Sequence, residues 1–153
     1  MNKRTHADIA LRDLRGSDFE ALAELLLASR TSMGLFEETH DVRDFRSFLA
    51  GLSVGCNIMV AERDRELAGF LSHTRGLISH LYVHPDHQRC GVGAALLDDA
   101  LARYTAPFDL WCFEANTRAR ALYESRGFVA VEHNDGSRNA EGLADIRYVL
   151  EAI

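Results

Sequence analysis

The sequence has few of the residues that cross-link small secreted domains or divide a chain into separate units. Its three cysteines, Cys56, Cys90 and Cys112, are scattered, and no CxxC pair occurs. We therefore expect no disulfide framework, and a reduced, cytoplasmic setting. Only two prolines are present, and no Pro- or Ser-rich linker interrupts the chain. This favours a single domain over residues 1–153, long enough to bury a sizeable core.

Long apolar runs and an excess of positive charge are also absent. No segment approaches the run of about 18 apolar residues that a membrane span needs. The start of the chain, MNKRTHADIALRD, lacks the apolar stretch of a secretory signal, so none is expected. Seventeen Lys and Arg against 23 Asp and Glu give a net charge of −6. A broad nucleic-acid-binding surface is therefore not expected.

Hydrophobic periodicity divides the chain into short strands and amphipathic helices. Strands are predicted at 8–14, 57–63, 67–76, 77–84, 108–114, 128–133 and 145–150, and helices at 17–30, 42–52, 91–104 and 117–126. A capping box of Ser17 and Glu20 is expected to begin the first helix, and Gly51 to end the second. Trp111 is expected inside. This order predicts an α/β fold, in which helices flank one central mixed sheet.

A glycine pair separates a polar turn from an apolar helical run in HPDHQRCGVGAALL, residues 84–97. At a helix N-terminus, Gly91 and Gly93 would expose backbone N–H groups to an anion, most naturally a phosphate. Arg89 would add a positive charge there. Leu96 replaces the third glycine of a dinucleotide-binding GxGxxG, and the GK of a triphosphate-binding loop is missing. On the residues alone, a plain helix start and an anion cradle remain equally good interpretations.

Two motifs in the right order resemble the GNAT superfamily of N-acetyltransferases. LYVHPDHQRCGVGAALL, 81–97, contains the acetyl-CoA-binding pattern Q/R-x-x-G-x-G/A, and FEANTRARALYESRGF, 113–128, contains N-x6-Y followed by GF. The predicted order of elements is similar to the family's fold, β-α-α-β-β-β-α-β-α-β-β with a mostly antiparallel central sheet. The resemblance implies one GNAT-type domain over residues 1–153 that uses acetyl-CoA as cosubstrate.

The resemblance also implies where acetyl-CoA binds. The backbone of Leu81, Tyr82 and Val83 would hydrogen-bond the pantetheine arm like an added strand, and an N–H there, that of Val83, would polarise the thioester carbonyl. Backbone amides from Arg89 to Ala94 would hold the pyrophosphate. The implied cofactor-binding residues are Leu81, Tyr82, Val83, Gln88, Arg89, Cys90, Gly91, Val92, Gly93, Ala94, Asn116 and Tyr123.

Two residues of the second motif have implied roles in catalysis and binding. Tyr123 matches the tyrosine that faces the departing sulfur, where a phenol proton would stabilise the CoA thiolate. The alternative is a core position beside Ala119 and Leu122. Asn116 matches an asparagine that contacts the cofactor arm. The alternative is a cap for the helix that begins near Thr117.

The resemblance does not supply a general base. Some family members carry a glutamate on the strand after the glycine motif, but Trp111 occupies that position. His80 titrates near neutrality and is the candidate catalytic base, directly or through water, although strand histidines are often structural. Ser79 is a weaker candidate for ordering that water. Glu37 and Glu38 would either attract a cationic amine or be exposed loop charges.

Two other chemistries are disfavoured. His80, His84 and His87 run from a strand across a proline into a turn without a matching carboxylate or cysteine set, so no metal is expected. Cys90 has no evident base beside it and is expected to be a passive small residue rather than a nucleophile.

The sequence thus predicts an acetyl-CoA-dependent N-acetyltransferase that acts directly on a primary amine, either a small molecule or a protein amine. One alternative is an acyl-CoA-binding module with little or no turnover. Another is a structural domain whose glycines only begin a helix. A homodimer is compatible with the sequence, and the oligomeric state stays open.

Overall fold

A computed structural model of the protein describes residues 8–152. Its strands are β1 (Ile9–Asp13), β2 (Asn57–Arg63), β3 (Glu66–Thr74), β4 (Leu77–Val83), β5 (Phe108–Phe113), β6 (Val129–Asn134) and β7 (Asp145–Leu150), and its helices are α1 (Phe19–Met33), α2 (Val42–Gly55), α3 (Val92–Arg103) and α4 (Thr117–Ser125). The predicted fold class and order of elements are confirmed. Residues 1–7, on which the expectation about a signal segment largely rests, lie outside the described part.

All seven strands form one sheet in the order β1-β2-β3-β4-β5-β7-β6. Every neighbouring pair is antiparallel except β4 and β5, which run parallel. That parallel pairing holds only at Leu77 opposite Asp109 and at Ile78 opposite Leu110. Beyond Ile78 the two strands diverge, and a gap opens in the middle of the sheet at the carboxyl end of β4.

The helices cover the sheet in two layers. Helices α1 and α2 pack on one face, mainly over β2, β3 and β4, in a cluster that includes Leu22, Leu26, Leu49, Val60 and Phe70. Helices α3 and α4 pack on the other face, in a cluster that includes Leu96, Leu97, Leu110, Ile146 and Tyr148. The gap between β4 and β5 therefore connects the two sides of the sheet. Within residues 8–152 no helix combines the length and apolar composition needed to cross a membrane.

The start of α1 differs from the prediction. The capping box of Ser17 and Glu20 does not form, because the helix begins one residue later, after Asp18. The Asp18 carboxylate accepts a hydrogen bond from the Arg15 backbone N–H at 2.7 Å and binds the Arg12 guanidinium through both oxygens at 2.8 and 2.9 Å. A carboxylate that is held by a cation and an amide is a stronger local anchor than a serine hydroxyl.

Two helix ends also lie further along the chain than predicted. Helix α1 continues to Met33 and stops at Gly34, which adopts a left-handed φ of 65°. Helix α2 passes through Gly51 and ends at Gly55. An exposed glycine inside a helix costs only about 1 kcal/mol, which the packing of α2 on the sheet outweighs.

The prediction that Trp111 is buried is wrong. Its side chain is 44% exposed, whereas its neighbours Leu110 and Cys112 are buried. Side chains alternate along a strand, so Trp111 points away from α3 and α4. On that side α1 and α2 extend only over the other half of the sheet, and Trp111 lies at the edge of the gap.

Candidate active site

The gap between β4 and β5 opens into two cavities. The larger, about 400 Å³, lies beside the start of α3 and is called here the glycine-side cavity; its wall includes Gln88, Arg89, Gly91, Gly93 and Arg118. The smaller, about 270 Å³, is called the loop-side cavity because the β6–β7 loop closes it; its wall includes Arg30, His80, Trp111, Asn139 and Asp145. Both are lined by Met33, Leu81, Tyr82, Asn116, Ala119 and Tyr123. One continuous cleft thus crosses the sheet.

The backbone of β4 offers hydrogen-bonding groups to this cleft. The His84 N–H donates to Ala68 O at 2.8 Å on the β3 side. Backbone direction alternates along an antiparallel strand, so Leu81 and Val83 turn their N–H and C=O groups toward the gap. By the same alternation the backbone of Tyr82 faces β3, and Tyr82 reaches both cavities with its side chain. Of the three residues predicted to bind the cofactor through their backbone, two point toward the gap.

The N-terminus of α3 forms the end wall of the glycine-side cavity. Gly91 precedes the helix with a left-handed φ of 85°, and no side chain caps it. The first N–H groups, those of Val92, Gly93 and Ala94, have no intrahelical acceptor. Arg89 also adopts a left-handed φ of 61°. This end of the helix presents several N–H groups and a positive dipole to the cavity, as an anion site requires.

Polar side chains bridge the rim of the glycine-side cavity. Arg118 donates to Gln88 Oε1 at 2.6 Å, and Gln88 Nε2 donates to Val83 O at 3.5 Å. Arg120, by contrast, binds Tyr148 Oη at 3.0 Å and lies against the sheet. Arg118 therefore remains a candidate for contacting a ligand phosphate, and Arg120 has a structural partner.

Tyr123 lies where the two cavities meet. Its side chain is 6% exposed, and its ring packs edge-on against Phe128 at 5.9 Å between centroids. Burial, together with nearby Cys112 and Tyr82, raises the pKa of Tyr123 well above its usual range. The phenol thus stays protonated at neutral pH. The core position is confirmed by this packing, and the residue also lines both cavities, so the role as a proton donor stays a prediction.

Asn116 caps α4, as one of its two sequence interpretations expects, and its contact with the cofactor arm stays a prediction. Its Oδ1 accepts from the Ala119 N–H at 3.2 Å and caps α4. Asn116 lines both cavities as well. Its Nδ2 is therefore the group that it can offer to a ligand.

His80 is held by a serine that the sequence analysis missed. Ser72 Oγ lies 3.1 Å from His80 Nδ1 and 2.7 Å from Ser79 Oγ. A β-bulge causes this arrangement, since Ser72 pairs with His80 and His73 pairs with Ile78, leaving Ser79 as the extra residue. Burial, and then the charge of Arg30, lower the pKa of His80 below its usual value. A neutral imidazole with Nδ1 engaged has Nε2 left for a substrate.

Arg30 was not identified from the sequence and is the main cation of the loop-side cavity. Its Nε donates to Glu38 at 2.6 Å, and its Nη2 donates to Glu141 at 3.1 Å. The guanidinium also lies over the Phe36 ring at 4.6 Å. Two carboxylates thus compensate one buried positive charge.

Glu38 is not the exposed loop charge that the sequence allowed. Its side chain is only 8% exposed. Burial alone would raise the pKa of Glu38, but hydrogen bonds from Arg30 and His40 outweigh it and lower the pKa. Glu37 is exposed and lines neither cavity. The segment that contains Glu37 and Glu38 therefore contributes to the site through Glu38, which holds the Arg30 guanidinium.

The β6–β7 loop supplies a further wall that the sequence analysis did not predict. Asn139 clamps Leu143, because its Nδ2 donates to Leu143 O at 2.6 Å and its Oδ1 accepts from Leu143 N at 3.2 Å. Gly136 has a φ of 91°, and a Cβ there would lie 2.5 Å from the Leu143 backbone. Asp145 Oδ1 is buried and has no hydrogen-bond partner within residues 8–152.

The histidines that suggested a metal have separate partners. His87 lies between Arg63 and Glu66, each at 3.2 Å, and the His84 ring accepts from a backbone N–H two residues on. Within residues 8–152 no group of three His, Cys, Asp or Glu side chains is arranged to hold a metal ion.

Comparison with known proteins identifies the family. Residues 54–130, which include the glycine motif and the asparagine–tyrosine motif, match the acetyltransferase (GNAT) domain family. The protein belongs to the GNAT acetyltransferase family. The family resemblance predicted from the sequence is thereby confirmed.

One relative and several solved structures resemble this GNAT protein. A probable N-acetyltransferase of Mycobacterium tuberculosis is 43% identical over 60 residues, which cover 39% of this chain and 32% of that protein. The match thus spans about a third of that relative's length.

The similar structures extend over nearly the whole chain. A Salmonella typhimurium acetyltransferase solved with its cofactor acetyl-CoA has a TM-score of 0.73 and 20% identity, with 94% of each chain covered. A GCN5-related N-acetyltransferase of Rhodopseudomonas palustris has a TM-score of 0.74 and 27% identity, covering 94% of this chain and 95% of that one. The ribosomal-protein-S18-alanine N-acetyltransferase of Escherichia coli has a TM-score of 0.74 and 21% identity, with 94% of each chain covered.

Proposed function

We propose that this GNAT protein transfers the acetyl group of acetyl-CoA directly to an amine. One observation carries the proposal: the gap beyond Ile78 joins an uncapped helix N-terminus on one side to a separate polar cavity on the other. Such a cleft suits two substrates that enter from opposite sides and meet in the middle. A similar structure solved with acetyl-CoA supports the choice of donor.

The glycine-side cavity fits the diphosphate end of acetyl-CoA. The N–H groups of Val92, Gly93 and Ala94 would receive the pyrophosphate, with Arg89 beside them. The backbone N–H and C=O groups of Leu81, which face the gap, would bind the pantetheine arm as an added strand.

The chemistry follows from the groups at the centre of the cleft. Bound acetyl-CoA supplies a thioester carbonyl that an amine can attack. The Val83 N–H would donate to the carbonyl oxygen as negative charge develops there. His80 Nε2 would accept the amine proton, directly or through water. The Tyr123 hydroxyl would donate its proton to the departing sulfur.

A CoA-release assay with acetyl-CoA and a panel of primary amines tests this proposal. We expect amine-dependent release of the CoA thiol, with one acetylated amine formed per thiol released, as measured by mass spectrometry. Tight binding of acetyl-CoA with no amine-dependent release would instead support an acyl-CoA-binding module. Trp111, at the position of the family's glutamate, is the feature that favours that alternative.

A further inference from the structure

The loop-side cavity contains a carboxylate that the acetyl transfer proposed above does not use. Asp145 begins β7, and its Oδ1 is buried with no hydrogen-bond partner within residues 8–152. Its other oxygen receives only a long contact of 3.4 Å from Asn139 Nδ2. A buried carboxylate oxygen without a donor is costly. Asp145 lines the loop-side cavity, so a cation bound there would offset that cost through its charge.

Among the described residues, 8–152, no cation forms an ion pair with Asp145. Arg30, which lines the same cavity, is held by Glu38 and Glu141. Arg147, the next residue on the same face of β7, binds both oxygens of Asp109 at 3.0 Å. The lowered pKa of His80 keeps that imidazole neutral, and one guanidinium, that of Arg30, faces the carboxylates of Glu38, Glu141 and Asp145 around this cavity, so the surplus charge is negative.

The remaining wall suits an alkyl chain that ends in a cation. Trp111 and Phe113 line the loop-side cavity together with Met33. Aromatic faces attract ammonium groups, and the three side chains together offer apolar contact to methylene groups. The β6–β7 loop holds this wall in place through the Asn139 clamp and the close approach at Gly136.

We propose that Asp145 binds a second ammonium group of the acceptor, so that the preferred acceptors are small diamines. This inference rests on the proposed acetyl transfer. The second ammonium is the group bound, because a carboxylate on the reacting amine would keep it protonated and unable to attack. Asp145 anchors the charged end, and the other, neutral amine is directed toward His80 and Tyr123.

The test compares 1,4-diaminobutane with butylamine as acceptors for the wild type and for Asp145→Asn. We expect the wild type to prefer the diamine in kcat/KM. Asp145→Asn should lower kcat/KM for the diamine by about tenfold or more, mainly through KM, and should lower it much less for butylamine, which has no second ammonium group. Asp98→Asn, an equal charge change on the exposed side of α3, is the matched control and should change neither.

Three outcomes would overturn this inference while acetyl transfer itself stands. An equal loss with both amines would mean that Asp145 supports the fold or acts as a base. Equal kcat/KM for the diamine and for butylamine in the wild type would exclude Asp145 as the anchor of a second ammonium group. A preference for amino acids would indicate that Arg30 binds an acceptor carboxylate instead.

A binding measurement tests ammonium binding by Asp145 independently of acetyl transfer. If no amine releases CoA, acetyl transfer fails, but titration calorimetry of 1,4-diaminobutane still tests the anchor. Binding by the wild type that Asp145→Asn weakens at least about tenfold would support the anchor alone. Equal binding by both proteins, or none by either, would contradict it.

Discussion

At the scale of single residues, burial determines the protonation state of each proposed catalytic group. Tyr123 is almost fully buried, and its raised pKa keeps the phenol protonated, as a proton donor must be. His80 is partly buried beside Arg30, and its lowered pKa keeps the imidazole neutral, as a base must be. The same physical cause shifts the two pKa values in opposite directions, because burial disfavours the charged form of each group.

Replacing Tyr123 with phenylalanine should separate catalysis from binding. Tyr123→Phe removes the proposed proton donor but preserves the ring that packs on Phe128. We expect turnover to fall by about 10²-fold, the lower end for general acid–base catalysis, with the CoA dissociation constant retained. Steady-state kinetics and titration calorimetry measure the two quantities. Unchanged turnover would remove Tyr123 from the mechanism.

The pH dependence of the rate should report His80. A base acts when neutral, so its contribution is present above its pKa and is lost as the pH falls through it. Protonation of the free amine enters kcat/KM, so the informative quantity is kcat at saturating amine, which reports groups in the bound complex. Because the pKa of His80 is lowered, kcat should hold down to mildly acidic pH, below the usual histidine value of about 6.5, before that acidic limb appears. His80→Ala should abolish this limb and lower the plateau. A profile with the same acidic limb in both proteins would exclude His80 as the base.

At the scale of elements, the helix N-termini differ in how their N–H groups are satisfied. Asp41 caps α2, and Asn116 caps α4. No side chain caps α3 after Gly91. Helix α1 also lacks a side-chain cap, but of these two N-termini only that of α3 borders the glycine-side cavity, so the N–H groups of α3 are the ones available to a ligand anion there.

Gly91→Ala should weaken both the fold and the cradle. A side chain at a left-handed φ of 85° is strained by about 1–2 kcal/mol, and relief of that strain would move the neighbouring amides. We expect lower stability in urea and weaker CoA binding by calorimetry. Gly51→Ala is the matched control, since an added Cβ meets nothing within 4 Å there and alanine favours the helix. Wild-type CoA affinity in Gly91→Ala would contradict the cradle.

Sequence periodicity was sufficient to predict the elements that depend on the pattern of neighbouring residues. The strands at 145–150 and 57–63 are observed as predicted. Trp111 was misplaced because an apolar strand normally indicates two covered faces, whereas here one face of β5 lies beyond the helices. Which face a helix layer covers is a property of the assembled sheet and leaves no local signal.

The site residues that the sequence analysis missed depend on distant contacts. Arg30 and Glu141 are far apart in sequence and meet only in the fold. Ser72 is paired with His80 because a β-bulge shifts the register of β3 and β4 by one residue. Without the bulge, regular pairing from Thr74 and Leu77 would have set Ser72 opposite Ser79. The motifs include residues that line the glycine-side cavity, whereas the loop-side cavity is assembled largely by tertiary packing.

At the scale of the whole molecule, the single parallel strand pair determines the architecture of the site. Strands β4 and β5 are joined through α3, and they separate where that connection leaves the sheet. Under the proposed function each side of the resulting cleft would hold one substrate, so no acetylated protein intermediate would be needed. Burial raises the pKa of Cys112 to about 12, which makes that thiol a poor nucleophile.

Direct transfer is the central claim, and radiolabelled acetyl-CoA tests it. The protein is incubated with acetyl-labelled CoA, first without acceptor and then with an amine that supports CoA release, and label is counted in precipitated protein and in small molecules. Direct transfer predicts no protein-bound label without acceptor and complete appearance of label in the acetylated amine when acceptor is present. Stoichiometric label on the protein, passed to the amine in a second step, would contradict the account.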